Sequence, residues 1–225
     1  MRLLCRFTIF ERCLWAGSAS AVLIAFFLSP DGDPLSLAAS LIGVTSLIFL
    51  ARGYAAGQVL MLLFASLYGI LSWQCRYYGE MLTYVGMTAP MALLSLIEWL
   101  RHPYKDSGEV AVAPLSGRKA LLLLAVSLLV TVLFYFLLKW LGTADLLIST
   151  LSVTTSFIAA GLTLLRSPFY ALAYAGNDVV LLVLWGVASV KDPSHLPTLI
   201  CFGAFLVNDL YGFISWRRMQ RRQHA

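Results

Sequence analysis

Eight apolar segments, separated by short polar stretches, divide the sequence from end to end. Each is close to the roughly 20 residues that a helix needs to cross the hydrocarbon core of a bilayer. Lipid offers the backbone no hydrogen-bond partners, and runs such as 120–138 do not alternate apolar with polar residues, so helices are expected rather than barrel strands. The pattern predicts an all-α integral membrane protein of about eight transmembrane helices, near 13–29, 35–51, 54–74, 79–100, 119–141, 146–165, 168–190 and 196–216.

Composition supports the membrane assignment and narrows the possible partners. The 225 residues are 60% hydrophobic and only 12% charged, which is about half the charged share of a soluble domain. The formal net charge of +5 does not indicate nucleic-acid binding, because the basic residues lie between and beyond the apolar segments. The four cysteines and three histidines are scattered without disulfide or metal spacing, so no metal or other cofactor is expected.

The basic residues also predict the orientation of the chain in the membrane. With a cytoplasmic N-terminus, thirteen of the sixteen lysines and arginines fall inside and three, Arg76, Lys139 and Lys191, fall outside. This is a strong positive-inside bias. It places both termini in the cytoplasm. The thirteen are Arg2, Arg6, Arg12, Arg52, Arg101, Lys105, Arg118, Lys119, Arg166, Arg217, Arg218, Arg221 and Arg222.

The first apolar segment has two interpretations. Arg2, Arg6 and Arg12 precede an apolar run, as they would in a signal peptide. No clear small-x-small cleavage site follows, and the run ends at Pro30 before acidic residues. A retained transmembrane helix is therefore favoured, with cleavage as the alternative.

Arginine and tryptophan residues at similar spacings in the first and second halves of the sequence indicate an internal repeat. Arg52 and Trp99 are 47 residues apart, and Arg166 and Trp216 are 50 residues apart. Three-helix units joined by one extra helix keep the same orientation, as in the parallel repeats of many transporters. The predicted organisation is an N-terminal tail and extra helix (1–33), a first repeat (34–101), a cytoplasmic loop and linker helix (102–145), a second repeat (146–217) and a basic cytoplasmic tail (218–225).

Polar residues at predicted bilayer depth are the main candidates for a functional site. Asn177 and Asp178 lie mid-way along the seventh segment, and Asn208 and Asp209 lie inside the eighth. A carboxylate at this depth costs roughly 2.5–3.5 kcal/mol unless it faces protein or a wet cavity. Asp178, Asn177 and Asn208 are therefore candidate substrate ligands, while polar contact between helices remains the alternative. That alternative explains Asp209 at least as well.

Several further side chains are candidates by position. Tyr174 lies one helical turn before Asp178 and could stack against a flat ring. Gln58, Trp185 and Tyr211 are secondary binding candidates, although aromatic residues near helix ends often only anchor the interface. Glu80 opens the fourth segment, where the helix dipole alone would stabilise a carboxylate. A gating role for Glu80 is the functional alternative.

Two groups of residues resemble those of a known family. The first is Arg76-Tyr77-Tyr78-Gly79-Glu80-Met81 followed by Pro90 and Trp99; the second is Asp145, the Ser149–Ser152 run, Arg166, Asp178, Trp185 and the Asn208–Phe213 run before Trp216-Arg217. Together they resemble PnuC-type transporters over roughly residues 35–220. The resemblance implies facilitated diffusion of nicotinamide riboside across a bacterial inner membrane, a fold related to the SWEET transporters, a homotrimer, and trapping of the vitamin by phosphorylation.

The chain departs from the family pattern on the seventh helix. Nicotinamide riboside carriers of this family show Trp-x-x-Trp-x-x-x-Asn/Asp, which places Ala171 and Tyr174 where tryptophans are expected and matches the acid at Asp178. One ring is thus replaced and one is missing. The resemblance therefore also allows thiamine, riboflavin or a deoxynucleoside as the ligand.

Two other classes of protein remain open. A membrane-embedded enzyme acting on a lipid would accommodate intramembrane acids, but the sequence has no phosphate-binding loop, His-Glu-x-x-His helix or serine elbow. A sensor subunit could dock a partner through the basic C-terminal tail, which positive-inside topology already explains. A small-molecule carrier accounts for more of the sequence than either.

Overall fold

The computed structural model describes residues 7–28, 34–74, 78–105, 107–143, 145–191 and 196–225. Within these ranges, eight helices are long and apolar enough to cross a membrane, as the sequence predicts. The fourth crossing consists of α4, a π-helical turn (Tyr84–Thr88) and α5. The helices are α1 (Ile9–Leu28), α2 (Pro34–Ala51), α3 (Ala56–Gln74), α4 (Tyr78–Thr83), α5 (Ala89–Arg101), α6 (Gly117–Trp140), α7 (Leu146–Leu164), α8 (Tyr170–Lys191) and α9 (Leu196–His224).

The ends of two helices differ from the predicted segments. Helix α1 begins at Ile9 because Thr8 and Glu11 cap it reciprocally: the Glu11 carboxylate accepts from the Thr8 backbone N–H at 2.6 Å, and the Thr8 hydroxyl accepts from the Glu11 N–H at 3.2 Å. Helix α9 continues to His224 through the basic residues that the sequence assigns to a tail. Because a helix outside the membrane needs no apolar run, the hydropathy pattern predicts the end of α9 too early in the sequence.

Some residues used in the sequence predictions lie outside the described ranges. They include Arg2, Arg6 and Arg76 of the charge distribution and Tyr77 of the family motif. The structure therefore describes only part of the predicted N-terminal tail and of the predicted outer loops.

The core of the bundle lies between α2, α3, α5, α7, α8 and α9. Its buried side chains include Val44, Phe64, Trp99, Leu162 and Trp216. Helix α6 packs chiefly on α7, and a side chain at Gly161 of α7 would collide with Leu123. The opposite side of α6 exposes leucines throughout its length, as expected for a lipid-facing helix. The proposed repeat of three helices on each side of α6 stays a prediction.

An extended segment between α5 and α6 crosses one end of the bundle. The Val110 N–H donates to the Gly53 carbonyl, and the Ala113 N–H donates to the Arg166 carbonyl. The side chain of Gln223 on α9 both accepts from Val112 and donates to Val110. This strap ties the C-terminal ends of α2, α7 and α9 together at the end of the bundle that carries most of the basic residues.

Helix α1 is held to the rest of the bundle by a buried carboxylate. Glu11 accepts a hydrogen bond from the Tyr211 hydroxyl at 2.7 Å and forms an ion pair with Arg52 at 3.4 Å. The Glu11 side chain is fully buried, whereas Arg52 is partly exposed. Further along, the Asn208 amide donates to the Ser18 hydroxyl at 2.8 Å. Polar contacts thus fix α1 against α2 and α9.

We expect Glu11→Ala to weaken the docking of α1. The substitution removes the acceptor for Tyr211 and the partner of Arg52, a loss on the order of 1–3 kcal/mol for each buried group left unsatisfied. The midpoint of thermal unfolding of the purified protein in detergent should fall by several degrees. Arg12→Ala is the matched control, because Arg12 is exposed on the same helix. Equal midpoints for the two variants would contradict the role of Glu11.

Candidate functional site

A cavity lined by both polar and apolar side chains lies between the helices of the bundle. Its volume is about 90 Å³, enough for several water molecules at about 10–15 Å³ each. Three carboxyl groups line it, and the described lining residues include no lysine, arginine or histidine. The polar residues that line it are Glu80, Thr83, Tyr84, Thr88, Thr143, Ser149, Ser152, Ser156, Tyr170, Tyr174, Asn177, Asp178 and Asp209.

Two aspartates from neighbouring helices meet at the wall of this cavity. Asp178 of α8 and Asp209 of α9 both line the cavity and are 2% and 4% exposed. The Oδ2 atom of Asp178 is buried and has no hydrogen-bond partner among the described residues. A buried carboxylate oxygen without a donor is costly, so this atom is available to a ligand or to water in the cavity.

Asn177 is oriented by the hydroxyl groups of α7. Its side-chain oxygen accepts a hydrogen bond from the Thr155 hydroxyl at 2.7 Å, and the Ser152 hydroxyl lies at 3.5 Å. The Asn177 side chain lines the cavity and is 4% exposed. Fixing the oxygen in this way leaves the amide N–H₂ group as the part of Asn177 that could donate to a ligand.

Two tyrosines of α8 supply rings to the cavity. Tyr174 and Tyr170 both line it, with ring centroids 6.3 Å apart. Ala171, where the family pattern has a tryptophan, is instead fully buried against α9, and a Cβ atom at Gly212 would lie 3.2 Å from its Cβ. Position 171 therefore takes part in a close contact between α8 and α9, which leaves no room for a ring. Tyr170 supplies the cavity with a ring that the family pattern does not predict.

The fourth membrane crossing brings the acid Glu80 and the aromatic ring of Tyr84 to the same cavity. Glu80 accepts a hydrogen bond from the Tyr68 hydroxyl at 2.8 Å, and the Tyr68 and Tyr84 ring centroids are 4.4 Å apart. Tyr84 and Thr88 begin and end the π-helical turn and both line the cavity. Such turns shift the side chains that follow them and are often found at functional sites. Glu80 is thus a cavity residue.

Four of the candidates from the sequence are not among the residues that line the cavity. Asn208 and Tyr211 face α1, where they bond to Ser18 and Glu11. Gln58 is buried near the start of α3, and Trp185 packs in the hydrophobic core. The structure thus brings Asp178, Asn177, Tyr174 and Glu80 together and places the other four elsewhere.

A layer of aromatic rings lies at the end of the cavity nearer the strap. The Trp99 and Trp216 centroids are 5.3 Å apart, and Tyr170 lies 4.7 Å from Trp216. Each indole N–H donates to a carbonyl of the opposite half: Trp99 to Thr163 at 3.0 Å and Trp216 to Leu50 at 2.8 Å. The two contacts join α5 to α7 and α9 to α2.

Comparison with known proteins identifies the family of the chain. The sequence matches the family described as nicotinamide mononucleotide transporter over residues 33–218. The chain belongs to this family. The match covers nearly all of the bundle after α1, including every helix that contributes to the cavity. The prediction of a membrane transporter rather than an enzyme is confirmed by this membership.

Individual members of the transporter family support the same assignment. The nicotinamide riboside transporter PnuC of Neisseria mucosa is 27% identical over 204 residues, covering 88% of this chain and 77% of the relative. The protein of the same name from Haemophilus influenzae is 24% identical, covering 90% and 87%. A crystal structure of the vitamin B3 transporter PnuC superposes with a TM-score of 0.83 at 26% identity, covering 96% of this chain and 94% of that one.

We expect Ala171→Trp to destabilise the bundle without adding a ring to the cavity. Ala171 is fully buried against Gly212, and overpacking a close contact costs about 1–3 kcal/mol or more. Tyr174→Trp is the matched variant, because Tyr174 borders open space in the cavity. Thermal unfolding should show a lower midpoint for Ala171→Trp than for Tyr174→Trp. The reverse order would mean that position 171 faces the cavity.

Proposed function

We propose that this protein carries nicotinamide riboside, or a closely related vitamin or nucleoside, across the membrane by facilitated diffusion. One observation carries the proposal beyond the family assignment: a buried acid at bilayer depth, Asp178, opens onto a cavity between the two halves. An ionised carboxyl group is unfavourable in hydrocarbon, whereas in a hydrated substrate path it can bind polar groups of the ligand. The two relatives named above are both nicotinamide riboside transporters, which supports this ligand.

In this proposal Asp178 and Asn177 form hydrogen bonds to the polar groups of the ligand. Tyr174 stacks against its flat ring, a contact on the order of 0.5–1.5 kcal/mol beyond burial of the ring area. Glu80, already bonded to Tyr68, gates the cavity from the side opposite the strap. Asn208, Gln58, Trp185 and Tyr211 then serve the packing of the bundle rather than the ligand.

Thiamine or another vitamin is the alternative ligand of the same class. The sequence lacks the two tryptophans of the nicotinamide riboside pattern, and the cavity instead offers Tyr170 and Tyr174. Phenol rings are smaller than indoles and carry hydroxyl groups, so they favour a ligand that is wider or has more hydrogen-bonding groups near its ring. Binding measurements on a panel of vitamins would distinguish nicotinamide riboside from thiamine or another vitamin as the ligand.

The proposal also includes the cellular setting. The positive-inside bias favours cytoplasmic termini, with the strap and the end of α9 facing the cytoplasm. We further propose a bacterial inner-membrane location, a homotrimer, the parallel 3+1+3 repeat, and phosphorylation of the imported ligand as the trap. Diffusion through the cavity then requires the layer of Trp99, Trp216 and Tyr170 to open toward the cytoplasm, which breaks the two indole bonds.

We expect proteoliposomes containing the wild-type protein to take up labelled nicotinamide riboside or thiamine, and Asp178→Ala to reduce that uptake at least tenfold. A charge-assisted hydrogen bond contributes about 1.5–3 kcal/mol, which corresponds to roughly ten- to hundredfold in binding. Ser127→Ala is the control, because Ser127 is buried within α6, bonds only to its own helix at Leu123 and does not line the cavity.

The two possible failures of this experiment have different meanings. Equal uptake by the wild type and Asp178→Ala would remove Asp178 from the substrate path. Uptake of neither vitamin by the wild type would exclude both as substrates. Reconstitution should be verified for each variant by the amount of monodisperse protein recovered from the liposomes.

A further inference from the structure

A threonine behind the cavity wall contacts one of the residues that line the cavity. The Thr155 hydroxyl group of α7 lies 2.7 Å from Asn177 Oδ1 of α8. Asn177 lines the cavity and is 4% exposed, whereas Thr155 is not among the residues that line it. We therefore expect any effect of Thr155 on a ligand in the cavity to be exerted through Asn177.

The length of this contact indicates which end of the Asn177 amide faces α7. Hydrogen bonds between two oxygen atoms are most often about 2.7–2.8 Å long, whereas those from nitrogen to oxygen are about 2.9–3.0 Å. A contact of 2.7 Å thus fits a hydroxyl group that donates to the amide oxygen. The Ser152 hydroxyl approaches the same oxygen at 3.5 Å. Because an amide oxygen can accept two hydrogen bonds, both hydroxyl groups favour the same orientation of Asn177.

The single proton of the Thr155 hydroxyl group has three acceptors within reach. Besides Asn177 Oδ1, they are the backbone carbonyl oxygens of Leu151 at 3.0 Å and Ser152 at 3.1 Å. Both carbonyls lie inside α7, where the helix already supplies each with an N–H donor. The amide oxygen of Asn177 is the nearest of the three acceptors and has no helical donor. Donation to Asn177 therefore stabilises the contact between α7 and α8 most.

The orientation of this amide decides which ligand groups Asn177 can bind. With its oxygen held against α7, Asn177 offers its N–H₂ group to a ligand, and this group donates hydrogen bonds but does not accept them. A complementary ligand must then present an acceptor, such as a hydroxyl or carbonyl oxygen. The reversed amide would present an oxygen and would require a donor instead.

We propose that Thr155 is a positioning residue for the substrate site: its hydroxyl group holds the side-chain oxygen of Asn177 against α7, so that the amide N–H₂ group binds an oxygen acceptor of the ligand. This inference rests on the proposed transport function. It adds to that function a residue outside the cavity and the kind of ligand group that Asn177 recognises.

The test measures the binding of nicotinamide riboside and thiamine to the purified full-length protein by titration calorimetry. Thr155→Val removes the hydroxyl group and keeps the shape of the side chain. It should weaken binding about three- to tenfold, as expected for the loss of one neutral hydrogen bond. Thr155→Ser keeps the hydroxyl group and should bind as the wild type does.

Thr154→Val is the matched control for the loss of a threonine hydroxyl group from α7. Thr154 is the preceding residue, and its hydroxyl group lies 2.7 Å from that of Thr131 on α6. It is not among the residues that line the cavity. Thr154→Val therefore removes a contact between helices without affecting Asn177, and its affinity for the ligand should equal that of the wild type.

A double-variant cycle separates a positioning role from a merely structural one. Asn177→Ala removes the amide and should by itself weaken binding by a factor similar to that of Thr155→Val. Adding Thr155→Val to Asn177→Ala should cause no further loss of affinity, because the group that Thr155 positions is already absent. A loss of affinity that came only from reduced stability would be the same in both backgrounds. The midpoint of thermal unfolding is measured for each variant alongside binding.

The outcomes distinguish this inference from the proposed function. Equal affinities of the wild type and Thr155→Val, or of the wild type and Asn177→Ala, would overturn the inference while leaving vitamin transport intact. The same result would follow if Thr155→Ser bound no more tightly than Thr155→Val, or if Thr155→Val weakened binding further in the Asn177→Ala background. Binding of neither vitamin by the wild type would overturn the proposed function and this inference with it.

Discussion

The structure depends on one constraint: hydrocarbon supplies no hydrogen bonds, so every polar group within the bundle must find a partner in protein or in trapped water. Most do. Glu11 is satisfied by Thr8, Tyr211 and Arg52, and Asn177 by the hydroxyl of Thr155. Several buried side-chain atoms of the described residues have no hydrogen-bond partner, including Gln58 Nε2, Asn208 Oδ1 and Asp178 Oδ2. Of these three residues, Asp178 is the one that lines the cavity.

The same constraint accounts for the way the two halves are joined. Trp99 and Trp216 each bury a large ring and place the indole N–H on a carbonyl of the other half. The carbonyls belong to Thr163 and Leu50, close to the ends of α7 and α2, where each also accepts a backbone N–H, from Arg166 and from Gly53 respectively. The strap covers the same end of the bundle. A path through the protein must therefore open where its halves are most tightly connected.

The cavity also explains how this chain departs from the nicotinamide riboside pattern of its family. A tryptophan at position 171 would enter the contact between α8 and α9, where Ala171 meets Gly212. Small residues at both positions let the two helices approach closely, and Asp178 of α8 and Asp209 of α9 both line the cavity. The absence of a ring at position 171 is thus a result of this helix contact. Tyr170, one position earlier, provides a ring to the cavity instead.

The sequence by itself determined the eight crossings and singled out Asp178 as a candidate, because the length of an apolar run and the cost of an intramembrane charge are local properties. It also indicated Asn177, Tyr174 and Glu80, which the structure brings to one cavity. Tertiary structure alone decided which face each helix turns inward. Asn208 and Asp209 are neighbours in sequence, yet Asn208 bonds to Ser18 on α1 and Asp209 lines the cavity. Successive helical residues point about 100° apart, and only the packing of α1 and α8 around α9 selects between them.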